Sequence, residues 1–563
     1  MKKNSFTFFL KLVFTFFILI GCGFSRFKSE SSEAITDPLM KYAWHIDNYG
    51  QSVFASTPAQ AGYDLHLSKT WTSQIYGSGV VVQLSDDGLE DTHEDLHDNF
   101  PYLNKSKNYM IGSPYLVTSS MPIAADDDHG TCVAGLIAAV AFNGVGSRGV
   151  APKAHLTIAN FLSSAVTITG ALKLDQATGD FDISNMSWGT TENEIMPQSA
   201  AYAAQIKSLV TTGRNGKGTI FVKASGNDFA VFCKGSMSVY CVGNANFDAD
   251  NALPYMIVVG ALNATGLSAS YSSTGSNIWV STFGGEFGSD SPAMLTTDRT
   301  GCVNGYAKSS QTTAFEKGAS VENVNCNYTS TFNGTSSAAP VLSGVIALLL
   351  EANSNLTWRQ IKYIFAKSSK TDFFETGSID HPLNSTLPTG YLWEQKWITN
   401  AAGYKFHNWY GFGRADVDAA VALAKAAITT PIDLGTFTET NWAHSNTGLA
   451  LPIPDNNAAG ITNSLVVATN LKIEAVQIKV GATHADISEL ALELTSPSGT
   501  KSILVNARNS LTGIANYTEE TFLSNAFYQE SSAGTWTLKV VDAKVGIVGT
   551  LTSFKLNFVG GAP

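Results

Sequence analysis

Charge is scarce in this chain. Asp, Glu, Lys and Arg supply 14% of its 563 residues, and 35 Lys and Arg stand against 46 Asp and Glu, for a net charge of −11. Phosphate contacts need clustered Lys and Arg, so nucleic acid is excluded as a partner. The acidic balance instead suits attraction of basic peptide segments. None of the six cysteines stands in a cysteine–histidine spacing that binds zinc. The apolar run at the start, residues 6–20, is broken by Lys11 and is too short for a stable spanning helix. With Lys2 and Lys3 ahead of it, it reads as an export signal over residues 1–21. Loss of Lys2, Lys3 and Lys11 with that signal takes the net charge from −11 to −14.

The length calls for two or three domains. Up to about residue 427, apolar runs alternate with glycine-rich turns and helical stretches, which predicts an α/β domain with a mainly parallel sheet. After Ile428-Thr429-Thr430-Pro431 the pattern changes. Residues 471–480, 490–494, 536–541 and 551–559 alternate like strands between Gly, Ser, Pro and Asn turns, which predicts a β-sandwich.

Three segments carry chemistry: Asp86-Asp87-Gly88, His129-Gly130-Thr131, and Gly334-Thr335-Ser336-Ser337-Ala338-Ala339-Pro340. A serine hydroxyl is a poor nucleophile at neutral pH. It needs an imidazole to take its proton and a buried carboxylate to orient that imidazole. Asp86 follows Gly79-Val80-Val81-Val82-Gln83-Leu84, a buried parallel strand delivering a carboxylate to its carboxyl end. His129 opens a small-residue helix after three acids, and Ser336 opens an apolar helix whose N–H groups lie near its hydroxyl. Each segment alone is an ordinary turn or cap; in this order and with these flanks they make a nucleophilic site.

These segments resemble the subtilisin-like serine proteases, and within them the kexin and furin branch of proprotein convertases, which couples a catalytic domain to a β-rich P domain. Asp37-Pro38-Leu39 with Trp44-His45, Asp86-Asp87-Gly88-Leu89, Ser187-Trp188-Gly189, Asn355-Leu356-Thr357-Trp358-Arg359 and Tyr410-Gly411-Phe412-Gly413 carry that likeness. Ser496-Pro497-Ser498-Gly499-Thr500 and Gly534-Thr535-Trp536-Thr537-Leu538 carry it into the C-terminal region. The resemblance implies a subtilisin-like α/β peptidase domain over residues 37–428 and an all-β jelly-roll or sandwich P domain over 429–563. A signal at 1–21 and a short linker at 22–36 precede them.

The resemblance implies Asp86 as orienting acid, His129 as general base and then acid, Ser336 as nucleophile and Asn227 as oxyanion donor. Ser187, Trp188 and Gly189 would pair with an extended peptide as an added strand. Glu192 and Asp248 fall where the acids of the first basic-residue pocket lie, Asp87 and Asp126 where those of the second lie. Each would make a charge-assisted bond to Lys or Arg. Furin's further acids have no counterpart in Leu162-Ser163-Ser164-Ala165-Val166-Thr167, so cleavage after one or two basic residues is expected. One Ca²⁺ is implied, held by Asp37, Asp95, the carbonyls of Val140, Val145 and Ser147, and the Asn143 side chain. Such oxygen-only ligands suit a hard cation. A second site has no counterpart around residues 105–118, and Ser273 replaces the acid of a third.

Leu19-Ile20-Gly21-Cys22 matches a bacterial lipoprotein processing box, which would make Cys22 a lipidated membrane anchor at the cell envelope; the alternative is a secreted protein with an incidental cysteine. Four cysteines permit three connectivities, of which the local pairs Cys233–Cys241 and Cys302–Cys326 are expected, with Cys132 a free buried thiol. Residues 23–36 are too few for a folded prodomain. A separate folding partner or unaided folding is therefore expected. His484 and Asp486 are read as a turn and a satisfied strand end. Two competing functions stay open: a broad-specificity subtilase, and a non-enzymatic surface binding protein on a protease scaffold.

Overall fold

The computed structural model describes residues 37–110, 115, 123–233, 240–371 and 387–563. The export signal, the linker and Cys22 lie outside them. Six strands form the first sheet: β1 (Val81–Ser85), β2 (His155–Ala159), β3 (Ile183–Met186), β4 (Ile220–Ala224), β5 (Met256–Leu262) and β6 (Val280–Phe283). Their order is β2-β1-β3-β4-β5-β6, and every pairing is parallel. β3, β4 and β5 are buried at every residue rather than at every second one, as a sheet covered on both faces requires.

The chain passes from β1 to β2 on one side and then crosses to β3 on the other. A cleft opens at such a reversal, at the carboxyl ends of the strands. Asp86 directly follows β1 and sits there. Two helices deliver the other reactive groups. Helix α1 (His129–Ala138) is built of small and apolar residues, nearly all buried. The hydroxyls of Thr296 and Thr297 hold it by donating to the carbonyls of Cys132 and Thr131, at 2.6 and 2.7 Å. Helix α2 (Thr335–Ala352) runs through the core, with Val341, Leu342, Val345, Ile346, Leu348 and Leu349 fully buried.

Beyond the helix Val417–Thr429 the chain is antiparallel sheet. The strand Gly549–Gly561 pairs with Lys472–Thr483 on one side, and in turn with Phe437–Glu439, His444–Asn446 and Leu451–Ile453; Tyr517–Ser524 completes that sheet. A second sheet runs Ile461–Val467, Gly534–Asp542, Leu490–Thr495, Lys501–Val505. Ile478, Phe522 and Phe558 from the first meet Leu492, Leu538 and Trp536 from the second in one core, the predicted sandwich.

Arg359, in the helix Trp358–Ser368, ties this sandwich to the α/β domain. Its Nε lies 3.0 Å from both carboxylate oxygens of Glu474, and its Nη1 and Nη2 donate to the carbonyls of Gly435 and Leu434 at 2.8 and 2.6 Å. Cys233–Cys241 and Cys302–Cys326 are disulfides, and Cys132 is free and buried.

Candidate active site

His129 Nδ1 stands 2.8 Å from Asp86 Oδ1. Asp86 is 1% exposed, and the same oxygen also accepts the Asp87 N–H at 2.8 Å. A carboxylate so fixed sets which ring nitrogen carries hydrogen and leaves Nε2 as the basic one. Asp87 holds the start of the helix: its two oxygens accept the backbone N–H groups of His129 and Gly130 at 2.9 and 2.7 Å. A Cβ on Gly130 would come within 2.0 Å of the Gly88 carbonyl oxygen, so only glycine lets the helix start this close to the acid segment. The Phe332 ring packs edge-on against the imidazole at 5.2 Å.

Burial of the imidazole favours its neutral form, but the carboxylates of Asp86, Asp87 and Asp128 outweigh burial and hold its pKa above the ordinary value. Asp87 is pushed up to about 7, first by burial and then by the charge of Asp86.

Ser336 is the second residue of α2. Gly334 caps that helix at φ +100°, and a Cβ there would lie 3.4 Å from both Asn227 Nδ2 and the Ser336 nitrogen. The missing side chain leaves a hollow in front of two N–H donors. Asn227 is fixed for that task, because its Oδ1 accepts the N–H and hydroxyl of Thr335 at 2.9 and 3.0 Å. Pro340, inside the same helix, has no N–H to offer the Ser336 carbonyl. The Ser187 hydroxyl supplies the donor instead, at 2.9 Å, and the Ser336 hydroxyl donates to the Ser187 carbonyl at 3.1 Å. The serine segment and the segment 187–189 are thus clamped together.

Segments 187–189 and 225–227 extend the adjacent strands β3 and β4, and the Glu192 carboxylate lies against Gly226 of the second. Its carboxylate is fully buried, and Gly226 and Gly243 make room for it: a Cβ on either would come within 2.1 or 2.5 Å of its oxygens. Burial, then the charge of Asp228, pushes Glu192 well above the usual carboxylate range. A cation reaching that carboxylate would relieve the cost. Asp126 is exposed and accepts the Ser164 hydroxyl at 2.6 Å.

Asp248, expected in the first pocket, has a cationic partner within the protein. It is 3% exposed and pairs at 2.8 Å with the Lys223 ammonium, which also donates to the Trp188 carbonyl at 2.8 Å and stands 4.6 Å over the Trp188 ring. Burial alone would raise its pKa, but Lys223 outweighs burial and lowers it. Its charge is already balanced from inside. Sequence reasoning passed over Lys223, although a lysine within the apolar strand Ile220–Ala224 signals a buried partner.

The residues proposed for a metal also converge. Asp37 accepts the N–H groups of Phe142, Asn143 and Gly144 at 3.0 to 3.3 Å and pairs with Arg148. Asp95 accepts Asn143 Nδ2 at 2.8 Å and the Ser147 N–H at 3.2 Å. Burial pushes Asp95 up to about 8. Among the described residues, the carbonyls of Val140, Val145 and Ser147 accept no hydrogen bond. Asp37 is balanced by Arg148 and Asn143 Oδ1 accepts the Val145 N–H at 3.1 Å, so the buried Asp95 and the three carbonyls are the oxygens left to suit a hard cation.

Comparison with known proteins agrees with this geometry. Residues 77–413 match the model of the subtilase family, and residues 473–558 that of the proprotein convertase P-domain. The extracellular serine protease of Aeromonas sobria is 34% identical, over 93% of this chain and 87% of its own. Protease KEX1 of Kluyveromyces lactis is 30% identical, over 93% of this chain and 61% of its own. The crystal structure of the Aeromonas sobria serine protease in complex with the chaperone ORF2 superposes with a TM-score of 0.83 at 30% identity, over 94% of this chain and 96% of that one. The chain therefore belongs to the subtilase family, as a serine protease of the kexin and furin branch with a C-terminal P domain.

Proposed function

We propose that this protease is a calcium-supported endopeptidase that cleaves after Lys or Arg, with Asp86, His129 and Ser336 as its triad. The 2.8 Å bond between His129 and Asp86, in a chain that also sets Ser336 in the first turn of a helix, is the observation that carries the reading. The Ser336 hydroxyl turns from the Ser187 carbonyl to His129 Nε2, gives up its proton and attacks the scissile carbonyl. The oxyanion that forms accepts hydrogen bonds from Asn227 Nδ2 and the Ser336 N–H. His129 then protonates the leaving amine, and water admitted to the same groups hydrolyses the acyl-enzyme. A fluorophosphonate reagent should label Ser336 in the wild type and leave His129→Ala unlabelled. Equal labelling of both would contradict these roles.

Glu192 is the acid that supports basic specificity at the first pocket, with Asp87 and Asp126 toward the second. Asp248 is left to Lys223. Calcium in the loop of Asp37, Asp95, Val140, Asn143, Val145 and Ser147 serves as a structural cross-link that balances the buried Asp95 carboxylate. Chelation should lower the melting temperature of the wild type by several degrees and that of Asp95→Asn much less; equal shifts would remove this site. The boundary between the peptidase and P domains is placed at residues 428 and 429, within the last turn of the helix Val417–Thr429.

Export through residues 1–21, a lipid anchor at Cys22 and a separate folding partner belong to the same reading. The relative solved with a chaperone supports the last. Replacing Cys22 by Ser should release the protein from membranes, and full activity of the chain expressed alone would exclude an obligatory partner.

A further inference from the structure

At one end of the P-domain sandwich, three buried side chains turn toward one another. His484 follows the strand Lys472–Thr483 of one sheet. Glu489 precedes Leu490–Thr495 and Asp542 ends Gly534–Asp542 in the other, where Leu490 and Asp542 are register partners. His484 Nε2 lies 3.4 Å from Asp542 Oδ2 and 4.0 Å from Glu489 Oε2, and all three atoms fall within 4.8 Å of one another.

The outward atom of each group is held. His484 Nδ1 is 2.7 Å from the Asp486 carbonyl, Asp542 Oδ1 accepts the Lys544 N–H at 3.0 Å, and Glu489 Oε1 pairs with the Lys544 ammonium. The inward side is different: Glu489 Oε2 is buried without a hydrogen-bond partner in a residue only 1% exposed. The Asp486 N–H also lies 3.2 Å from Nδ1, so the ring can carry its hydrogen on either nitrogen; with the hydrogen on Nδ1 and given to the carbonyl, Nε2 is a lone pair, as in metal-binding histidines. A hydrogen on Nε2 would serve Asp542 Oδ2, 3.4 Å away, but would leave Glu489 Oε2 unserved at 4.0 Å, whereas a cation among the three atoms balances both carboxylates.

We propose that His484, Glu489 and Asp542 form a second metal site, for a divalent transition cation of the zinc type. One nitrogen and two carboxylate oxygens suit zinc, whereas calcium takes oxygen ligands. The 3.4 Å between Nε2 and Oδ2 is close to the edge of a tetrahedron with metal bonds of about 2.0 Å. An ion there ties the two sheets together at one end.

The test is zinc titration of the full-length Ser336→Ala protein, which cannot digest itself, in excess calcium. One equivalent of zinc should bind that His484→Gln in the same background fails to bind, with a rise in melting temperature confined to the parent. Equal zinc stoichiometry in the two proteins overturns the site. Should the His484 variant fail to fold, Lys544→Gln supplies a second arm, since that side chain is 44% exposed and competes for Glu489. Its removal should tighten zinc binding by about tenfold, and an unchanged affinity overturns the proposal.

Discussion

Lys223 and Asp248 are opposite charges in a protein interior, and their energetics are asymmetric. A buried pair adds little net stability, but removing one partner strands the other. Lys223→Met should therefore cost about 3–5 kcal/mol, read by urea unfolding of the inactive Ser336→Ala form, and adding Asp248→Leu should recover most of it. A small loss from the single change would show that Asp248 finds another cation. The linear order at Asp248 does not report this pair, because Lys223 lies 25 residues away on β4. Asn227 is the opposite case, legible from Ala224-Ser225-Gly226-Asn227 and placed beside Gly334. Asn227→Ala should lower kcat by about 10²–10³ with KM little changed; a change confined to KM would remove it from the oxyanion site.

His129 sets the pH dependence. Catalysis needs the neutral imidazole, and the surrounding carboxylates, having outweighed burial, raise its pKa. The ascending limb of kcat/KM should then have its midpoint above the ordinary histidine value of about 6.5, and Asp87→Asn should shift it down. Stability runs the other way. A raised folded pKa contributes stability that is present below the unfolded value and lost as pH rises through the folded one. The imidazolium stabilises most where the enzyme works least. A midpoint at or below 6.5 would contradict the role of the three acids.

Among the elements, the N-terminus of α2 is held by unusual means. Pro340 leaves the Ser336 carbonyl without a helical donor, and Ser187, at the end of β3, provides one at 2.9 Å. Ser187→Ala should leave that carbonyl unpaired, at a cost of about 1–3 kcal/mol, and should lower kcat by loosening the serine; unchanged kcat would show that the clamp has no catalytic weight. The buried run of β1 and the alternation after residue 431 were legible, because the hydrophobic pattern reports burial directly. The sheet order and the Ser187 clamp were not, because both rest on contacts between distant segments.

At the scale of the whole molecule, the P domain is part of the enzyme's architecture. Arg359 closes on Glu474 and two carbonyls, and the Ser510 hydroxyl donates to the carbonyl of Glu192, joining the sandwich to the segment that carries this acid. The motif Asn355-Leu356-Thr357-Trp358-Arg359 was legible as a likeness; its physical reason, a domain seam, appears only in the fold. On the proposed reading, the triad serves a pocket that Glu192 makes receptive to cations. That reading is tested most directly by kcat/KM for paired fluorogenic peptides ending in Lys-Arg and in Ala-Leu, with wild type, Glu192→Gln and Ser336→Ala. The account predicts strong preference for Lys-Arg in the wild type, loss of most of that preference in Glu192→Gln, and no hydrolysis by Ser336→Ala. Equal or better cleavage of Ala-Leu by the wild type would contradict it.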